Sequence, residues 1–439
     1  MDFGIGIIVF IILMVTSIVT GHSMIPALLA GLAIFVFLGI RRGYSVRQLA
    51  VWGTESVKDS LVVIKVMLII GIITASWRIC GTISVFVYYG TQIITPSLFL
   101  VITYLLACLL SYALGTSFGV TGTLGVIFIA LARSGGVDPV ITAGVIISGV
   151  YFGDRCSPVS SSANLVAGVT KTDVLTNVKY MLKTCILPFI LTLAIYIIIS
   201  VRNPIGSVDA GIISSLKETF TLSAIAFIPA VLMLILPFFK LTVTTSILIS
   251  ALSGMLIAYF VQGESAVEII KTCIFGYRSP NDGIGAILNG GGVTSMLEVV
   301  VILIISCAYT GIFNGTGMME PVHTLVERSC RRIGRFATCL LFGISATILF
   351  CNQTITTLLS GEVLSDPYRK TGGSLQELAI DMENSNIVAA GFVPWCLGCK
   401  VLLTFLNVGA EAVPYAVYIF LIPLCYLFTK RRWFPDKAV

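Results

Sequence analysis

The sequence predicts an all-α integral membrane protein, built as two inverted repeats of about five transmembrane helices each, with interrupted or re-entrant helices at a midplane site. Three observations carry this reading. Of 439 residues, 57% are hydrophobic and only 11% charged, where a soluble domain carries about a quarter charged residues. Apolar runs long enough to cross ~30 Å of hydrocarbon recur along the whole length, and the mean hydropathy is +1.01. Those runs are broken in two places by clusters of small polar residues. An unpaired backbone N–H or C=O in hydrocarbon costs several kcal/mol, so unwound backbone survives only where it lines a cavity.

The predicted spans are 3–19, 24–40, 61–76, 97–114, 185–201, 222–239, 241–261, 296–313, 336–350 and 412–428. The first is followed at once by the second and lacks a small-residue cleavage pattern, so a retained span is expected rather than a removed signal peptide. The twelve cysteines fall mostly in or beside apolar runs, where a free thiol acts as a small hydrophobe. Cys396 and Cys399 form a C-x-x-C, but no second Cys or His pair completes a zinc set. No cofactor is expected, only Na+ and/or H+ as coupling ions.

The net charge of +6 comes from basic residues in short loops, which excludes a nucleic-acid reading. Arg41, Arg42 and Arg47 follow the second span, Arg328, Arg331, Arg332 and Arg335 the eighth, and Lys430, Arg431 and Arg432 the last. Basic loops stay cytoplasmic. The expected setting is therefore the cell membrane, multi-pass, with both termini cytoplasmic.

Repeated features set the domain organisation. Gly31 and Gly254, Gly53 and Gly276, Gly81 and Gly311, and Asp154 and Asp381 are separated by about 223 to 230 positions, dividing the chain into 1–205, a linker 206–218, and 219–439. Loop charges reverse between equivalent positions: residues 82–96 carry none, while 327–335 are strongly basic. Opposite bias means opposite orientation, as in many ion-coupled carriers.

The breaks hold the candidate site. In the first half they are Gly115–Gly119, with Thr116 and Ser117, and 153–162, with Asp154, Ser157, Ser160, Ser161 and Ser162, followed by Asn164. In the second half they are Asn352, Gln353 and Thr354, and then 381–386 with Asp381, Glu383, Asn384 and Ser385. A sodium ion takes hard oxygens from hydroxyls, amides and freed carbonyls, with one carboxylate for charge; Pro158 removes an N–H and keeps the helix open. Half-helix N-termini would also favour an anion such as a substrate carboxylate. Ionisable residues inside spans are costly and point to function, with Asp154 first and Glu383 second. Arg155 could neutralise Asp154 or hold substrate. Snorkelling to the interface explains Arg78 and Lys65, an interfacial place suits Glu298, and Lys400 is either a topology anchor or an anion contact.

Residues 68–97 (LIIGIITASWRICGTISVFVYYGTQIITPS), Gly115–Gly125 (GTSFGVTGTLG) and 146–169 (IISGVYFGDRCSPVSSSANLVAGV) resemble the NhaC-type sodium/proton antiporters, and 358–370 and 383–395 follow that pattern more loosely. The resemblance implies a superfamily of inverted-repeat ion transporters with re-entrant hairpins around a midplane site, an elevator motion and dimers. The chain departs from the pattern where the family has Ser-Asp-Thr-Thr-Asn, reading Ser160-Ser161-Ser162-Ala163-Asn164, and where it has Glu-Asp-x-Gly-Thr, reading Glu383-Asn384-Ser385-Asn386-Ile387. Two carboxylates become neutral oxygens. A sodium-linked antiporter is the first expectation; the second is a sodium-coupled carrier of a small organic carboxylate or amino acid. Expected partners are membrane lipid and a small ion or organic solute, with a homodimer implied by the resemblance and no nucleic acid. An enzyme would need a nucleophile–base or metal set, and none is visible.

Overall fold

In a computed structural model of the chain, which describes residues 2–20, 22–93, 96–206, 210–239, 241–317 and 320–434, the named elements are all helical. One isolated bridge, Tyr277 to Gly290, is the β pairing among the described residues. Ser207, Val208 and Asp209 of the expected linker, and Ile94 and Thr95 of the uncharged loop, lie outside the described residues.

Most apolar runs become helices: Asp2–Val19, Ile25–Arg41, Leu61–Ile79, Phe99–Leu114, Val174–Arg202, Val243–Phe260, Leu297–Gly315, Arg335–Phe350 and Val417–Trp433. The run 222–239 is different. It splits into a turn Ala224–Phe227, a short helix Ile228–Ile235 and a second turn Leu236–Phe239, because Pro229 and Pro237 remove ladder donors. Among the described residues, three helices are long and apolar enough to cross a membrane, or up to six if each of three bent pairs is one span. Five more apolar helices are 10–17 residues long. This is fewer straight spans than the ten the runs predict, since glycine and proline cut the hydrophobic stretches into shorter rods.

The burial pattern is that of a membrane protein. Large apolar side chains such as Ile8, Phe37, Leu109, Ile190, Phe260 and Phe428 face outward, while Ser, Thr, Asn and Asp residues fill the interior. Patches of that extent are not left exposed on a soluble monomer. Interior helices approach closely where one side chain is missing. A Cβ on Gly153 of Pro139–Cys156 would clash with the Ser111–Tyr112 backbone of Phe99–Leu114, and one on Gly311 with the Trp52 carbonyl. Polar bonds tie the layers: Ser76 donates to the Ala251 carbonyl at 2.8 Å and Trp77 Nε1 to Ser250 at 3.0 Å.

Among the described residues, part of the backbone recurs at one spacing. Gly81, Gly115, Gly136 and Lys171 have positive φ, and so do Gly317, Cys351, Gly372 and Asn407, each 236 positions later. The same shift relates Leu61–Ile79 to Leu297–Gly315, Phe99–Leu114 to Arg335–Phe350, Ser117–Ser134 to Gln353–Lys370, and Ser161–Thr170 to Leu397–Leu406. This corrects the pairing by residue type. Gly81 matches Gly317 rather than Gly311, and Asp154 falls opposite Ala390, not Asp381. Spacing grows from 223 at Gly53 and Gly276 to 236 because 20 residues separate Gly276 from Leu297 where 7 separate Gly53 from Leu61; the extra segment lies within 277–292, with the short helix Asp282–Leu288.

Candidate functional site

Four helices begin at one cavity of about 360 Å³. They are Ser117–Ser134 and Ser161–Thr170 from the first half, and Gln353–Lys370 and Leu397–Leu406 from the second. The sequence stops each preceding helix locally. Gly115 and Cys351 take the left-handed conformation after Leu114 and Phe350, and Pro158 and Pro394 lie in the breaks before Ser161 and Leu397. Thr116 then caps its helix by accepting from Gly119 N at 3.2 Å, Ser160 accepts from Ser162 N at 3.1 Å, and Asn352 from Thr354 N at 2.9 Å. Each start leaves backbone N–H groups and a partial positive charge aimed at the cavity.

Thr116, Ser117, Asp154, Ser161, Ser162, Asn352, Gln353 and Thr354 all line this cavity, together with Met67, Ile70 and Gly398. Asp154, 4% exposed, accepts from Ser162 Oγ at 3.3 Å and from Gln353 Nε2 at 3.3 Å, and from the Ser117 amide. The two halves therefore meet on one carboxylate. Arg155 is turned away from it. Its guanidinium donates to Tyr418 OH at 3.1 Å, the Met181 carbonyl at 3.0 Å and Thr184 Oγ1 at 2.9 Å rather than to Asp154.

The remaining predicted residues separate into two groups. Ser157, Ser160 and Asn164 shape the break without lining the cavity: Ser160 donates to the Asp154 carbonyl at 2.5 Å, and exposed Asn164 to the Ser160 carbonyl at 2.7 Å. In the second half, Asp381 and Glu383 lie inside the helix Leu375–Glu383, and the chain turns only at Asn384–Ser385. Glu383, Asn384 and Asn386 are fully buried. Neither Glu383 oxygen, neither Asn384 amide atom, nor Asn386 Nδ2 has a hydrogen-bond partner. Glu383 lies within electrostatic reach of both Arg155 and Asp154. Asp381 belongs elsewhere: it accepts from Lys430 at 2.5 Å, Tyr368 OH at 2.6 Å and Tyr426 OH at 3.0 Å. Glu377 completes that network, with Lys430 at 2.6 Å and Arg335 at 2.8 Å. Ser385 donates back to the Asp381 carbonyl at 2.6 Å.

Comparison with known proteins decides the family. Residues 149–429 match the profile of the Na+/H+ antiporter family. The chain belongs to that family. It is 29% identical to the malate-2H(+)/Na(+)-lactate antiporter of Bacillus subtilis, over 84% of this chain and 80% of that protein. It is 26% identical to the Na(+)/H(+) antiporter NhaC of Alkalihalophilus pseudofirmus, over 84% and 81%. It is also 26% identical to the arginine/ornithine antiporter ArcD of Halobacterium salinarum, over 86% and 79%.

In this antiporter-family chain, one part of the site and one network outside it escape a residue-by-residue reading. The Leu397 start was hidden because Cys396 stands at the cap with no side-chain bond; the signal was Pro394, which repeats Pro158 at the 236 spacing. The C-x-x-C is thus the first turn of a helix, with Cys399 N bonded to the Cys396 carbonyl at 3.0 Å. Lys430, read as a topology anchor, is 12% exposed and holds two carboxylates. Removing one partner of a buried ionic cluster strands the rest, so Lys430→Met is expected to cost about 3–5 kcal/mol of stability. Thermal unfolding in detergent checks this, with partial recovery in Lys430→Met/Asp381→Asn. A stable Lys430→Met protein that has lost transport would instead move Asp381 into the coupling site.

Proposed function

We propose that this multi-pass membrane protein exchanges Na+ for H+ across the cell membrane, and that Glu383 and Asp154 are the groups on which the two ions compete. The observation that carries this is Glu383: a fully buried carboxylate with no hydrogen-bond donor on either oxygen. A carboxylate charge there, with no donor on it, is costly even with Arg155 in electrostatic reach. It is tolerable with a proton or a cation on it, and a carrier that exchanges one for the other needs that alternative. Asp154, with Ser162, Gln353 and the cavity hydroxyls around it, offers hard oxygens for the sodium ion.

The protein works, in this reading, as inverted repeats 1–205 and 219–439 joined by 206–218, with both termini cytoplasmic. The fixed 236-residue recurrence of turns and helix starts supports the repeat, and the reversed loop charges support the inversion. Single cysteines at Arg42 and Arg332 are expected to be labelled from the inside only; outside labelling of either would end the topology. Such labelling is clean because the native cysteines are buried.

A second reading has its own support. Four converging helix N-termini suit an anion, and the malate/lactate relative is named for organic acids, so a small carboxylate exchanged against sodium is the alternative. Proteoliposomes with imposed sodium and pH gradients separate the two. Sodium-driven proton movement without any organic solute is expected. Proton movement that appears only with malate, lactate, arginine or ornithine present would replace the first reading with the second.

A further inference from the structure

A second cavity, of about 550 Å³, lies at the other end of two helices that flank the first. Leu61–Ile79 lines the Asp154 cavity with Met67 and Ile70, and this one with Thr74 and Arg78; Leu397–Leu406 lines the first with Gly398 and the second with Thr404 and Phe405. Ile70, on the wall of the first cavity, and Phe405, on the wall of the second, come together at Gly122. A Cβ on Gly122 would sit 2.9 Å from Ile70 and 3.6 Å from Phe405, which face different cavities. Gly122 lies in the π-helical turn Thr121–Gly125, a kind of helix break frequent at functional sites.

Arg78 gives this cavity its character. It is 6% exposed, so it does not snorkel to the interface as the sequence suggests. One N–H reaches the Thr74 carbonyl at 2.6 Å, while Nε–H has no partner. Its guanidinium faces Gly290 of the extra segment, where no side chain competes for it. Arg133 adds positive charge within electrostatic reach. Two carboxylates also line the cavity: Glu298, which pairs with Lys400 at 3.4 Å, and Glu411, which accepts from the Gly409 amide at 2.9 Å. A buried guanidinium with an unused donor is costly unless an anion completes it, and its planar fork matches a carboxylate.

We infer that this cavity is a second binding site, for a small carboxylate, across the Ile70–Phe405 partition from Asp154, with Arg78 as the anion contact. The inference rests on the transporter reading and extends it: the path has an anion-holding chamber opposite the cation site.

The test is equilibrium binding of radiolabelled L-malate, and then L-lactate, to the purified full-length protein. Saturable binding is expected in the wild type and at least tenfold weaker binding in Arg78→Gln, with only partial recovery in Arg78→Lys, whose ammonium cannot bind both oxygens in a fork. Thr404→Phe fills the cavity, keeps the arginine and should also remove binding; this arm stands if Arg78→Gln fails to fold. Leu109→Ala, on the outward-facing surface, should stay within threefold of wild type. The inference is overturned if the wild type binds neither probe, if Arg78→Gln and Thr404→Phe bind as the wild type does, or if binding is lost in Gln353→Ala, in the other cavity, and kept in Arg78→Gln. Equal competition by chloride or inorganic phosphate would overturn the carboxylate assignment. Sodium-driven proton flux in the wild type, measured separately, tests the exchange reading: flux absent with Arg78-dependent binding intact sinks that reading alone.

Discussion

Vesicles carrying Glu383→Gln are expected to show no sodium-driven proton flux above empty liposomes, a loss of about 100-fold or more for a group that carries the proton. Glu383 is buried with two oxygens that no donor satisfies, and the buried Arg155 lies within electrostatic reach of it. Glutamine keeps the volume and cannot take up or release a proton. A fluorescence assay of internal pH reads the flux, and a thermal-shift series in detergent shows that the variant is folded. A Glu383→Gln variant that still exchanges at half the wild-type rate would show that Glu383 carries neither ion.

The second large effect concerns sodium rather than the proton. Asp154→Asn leaves an oxygen to accept from Ser162 and Gln353 and removes the negative charge from the cavity where the halves meet. A cation at ~4 Å from a carboxylate gains up to about 4 kcal/mol at an effective dielectric of 20, part of which is repaid in desolvation. The half-saturating sodium concentration should therefore rise by roughly 10- to 100-fold, with the folded yield unchanged. Unchanged sodium dependence would place the sodium ion beside Glu383 and leave Asp154 as a fastening between the two halves.

Much of this arrangement is legible in the sequence, and the parts that are not share a reason. Hydrophobic runs announce the helices because hydrocarbon tolerates little else, and Gly115, Pro158 and Asn352 announce breaks because each carries its own backbone preference. Matching by residue type fails for the repeat. Asp154 and Asp381 look equivalent, yet the shared turns put Asp154 opposite Ala390. Turn geometry is what recurs, and it is visible only through φ. Arg78 and Lys430 fail for another reason: a charged residue near the end of an apolar run reads as an interfacial anchor. Whether it points outward or inward depends on distant partners, the segment 277–292 for one and Asp381 with Glu377 for the other.

The equal spacing of turns in the two halves has a consequence for how such a chain can change. Ser161 and Ser162 on one side stand where Leu397 and Gly398 stand on the other, and Thr116 where Asn352 stands. The turns are duplicated, but the side chains mounted on them are not. Substitutions at the mounted positions can therefore alter the lining of the cavity while the turns that place it are untouched. Relatives named for sodium and protons, for malate and lactate, or for arginine and ornithine each align over more than four-fifths of this chain. The same turns can thus hold differently lined cavities.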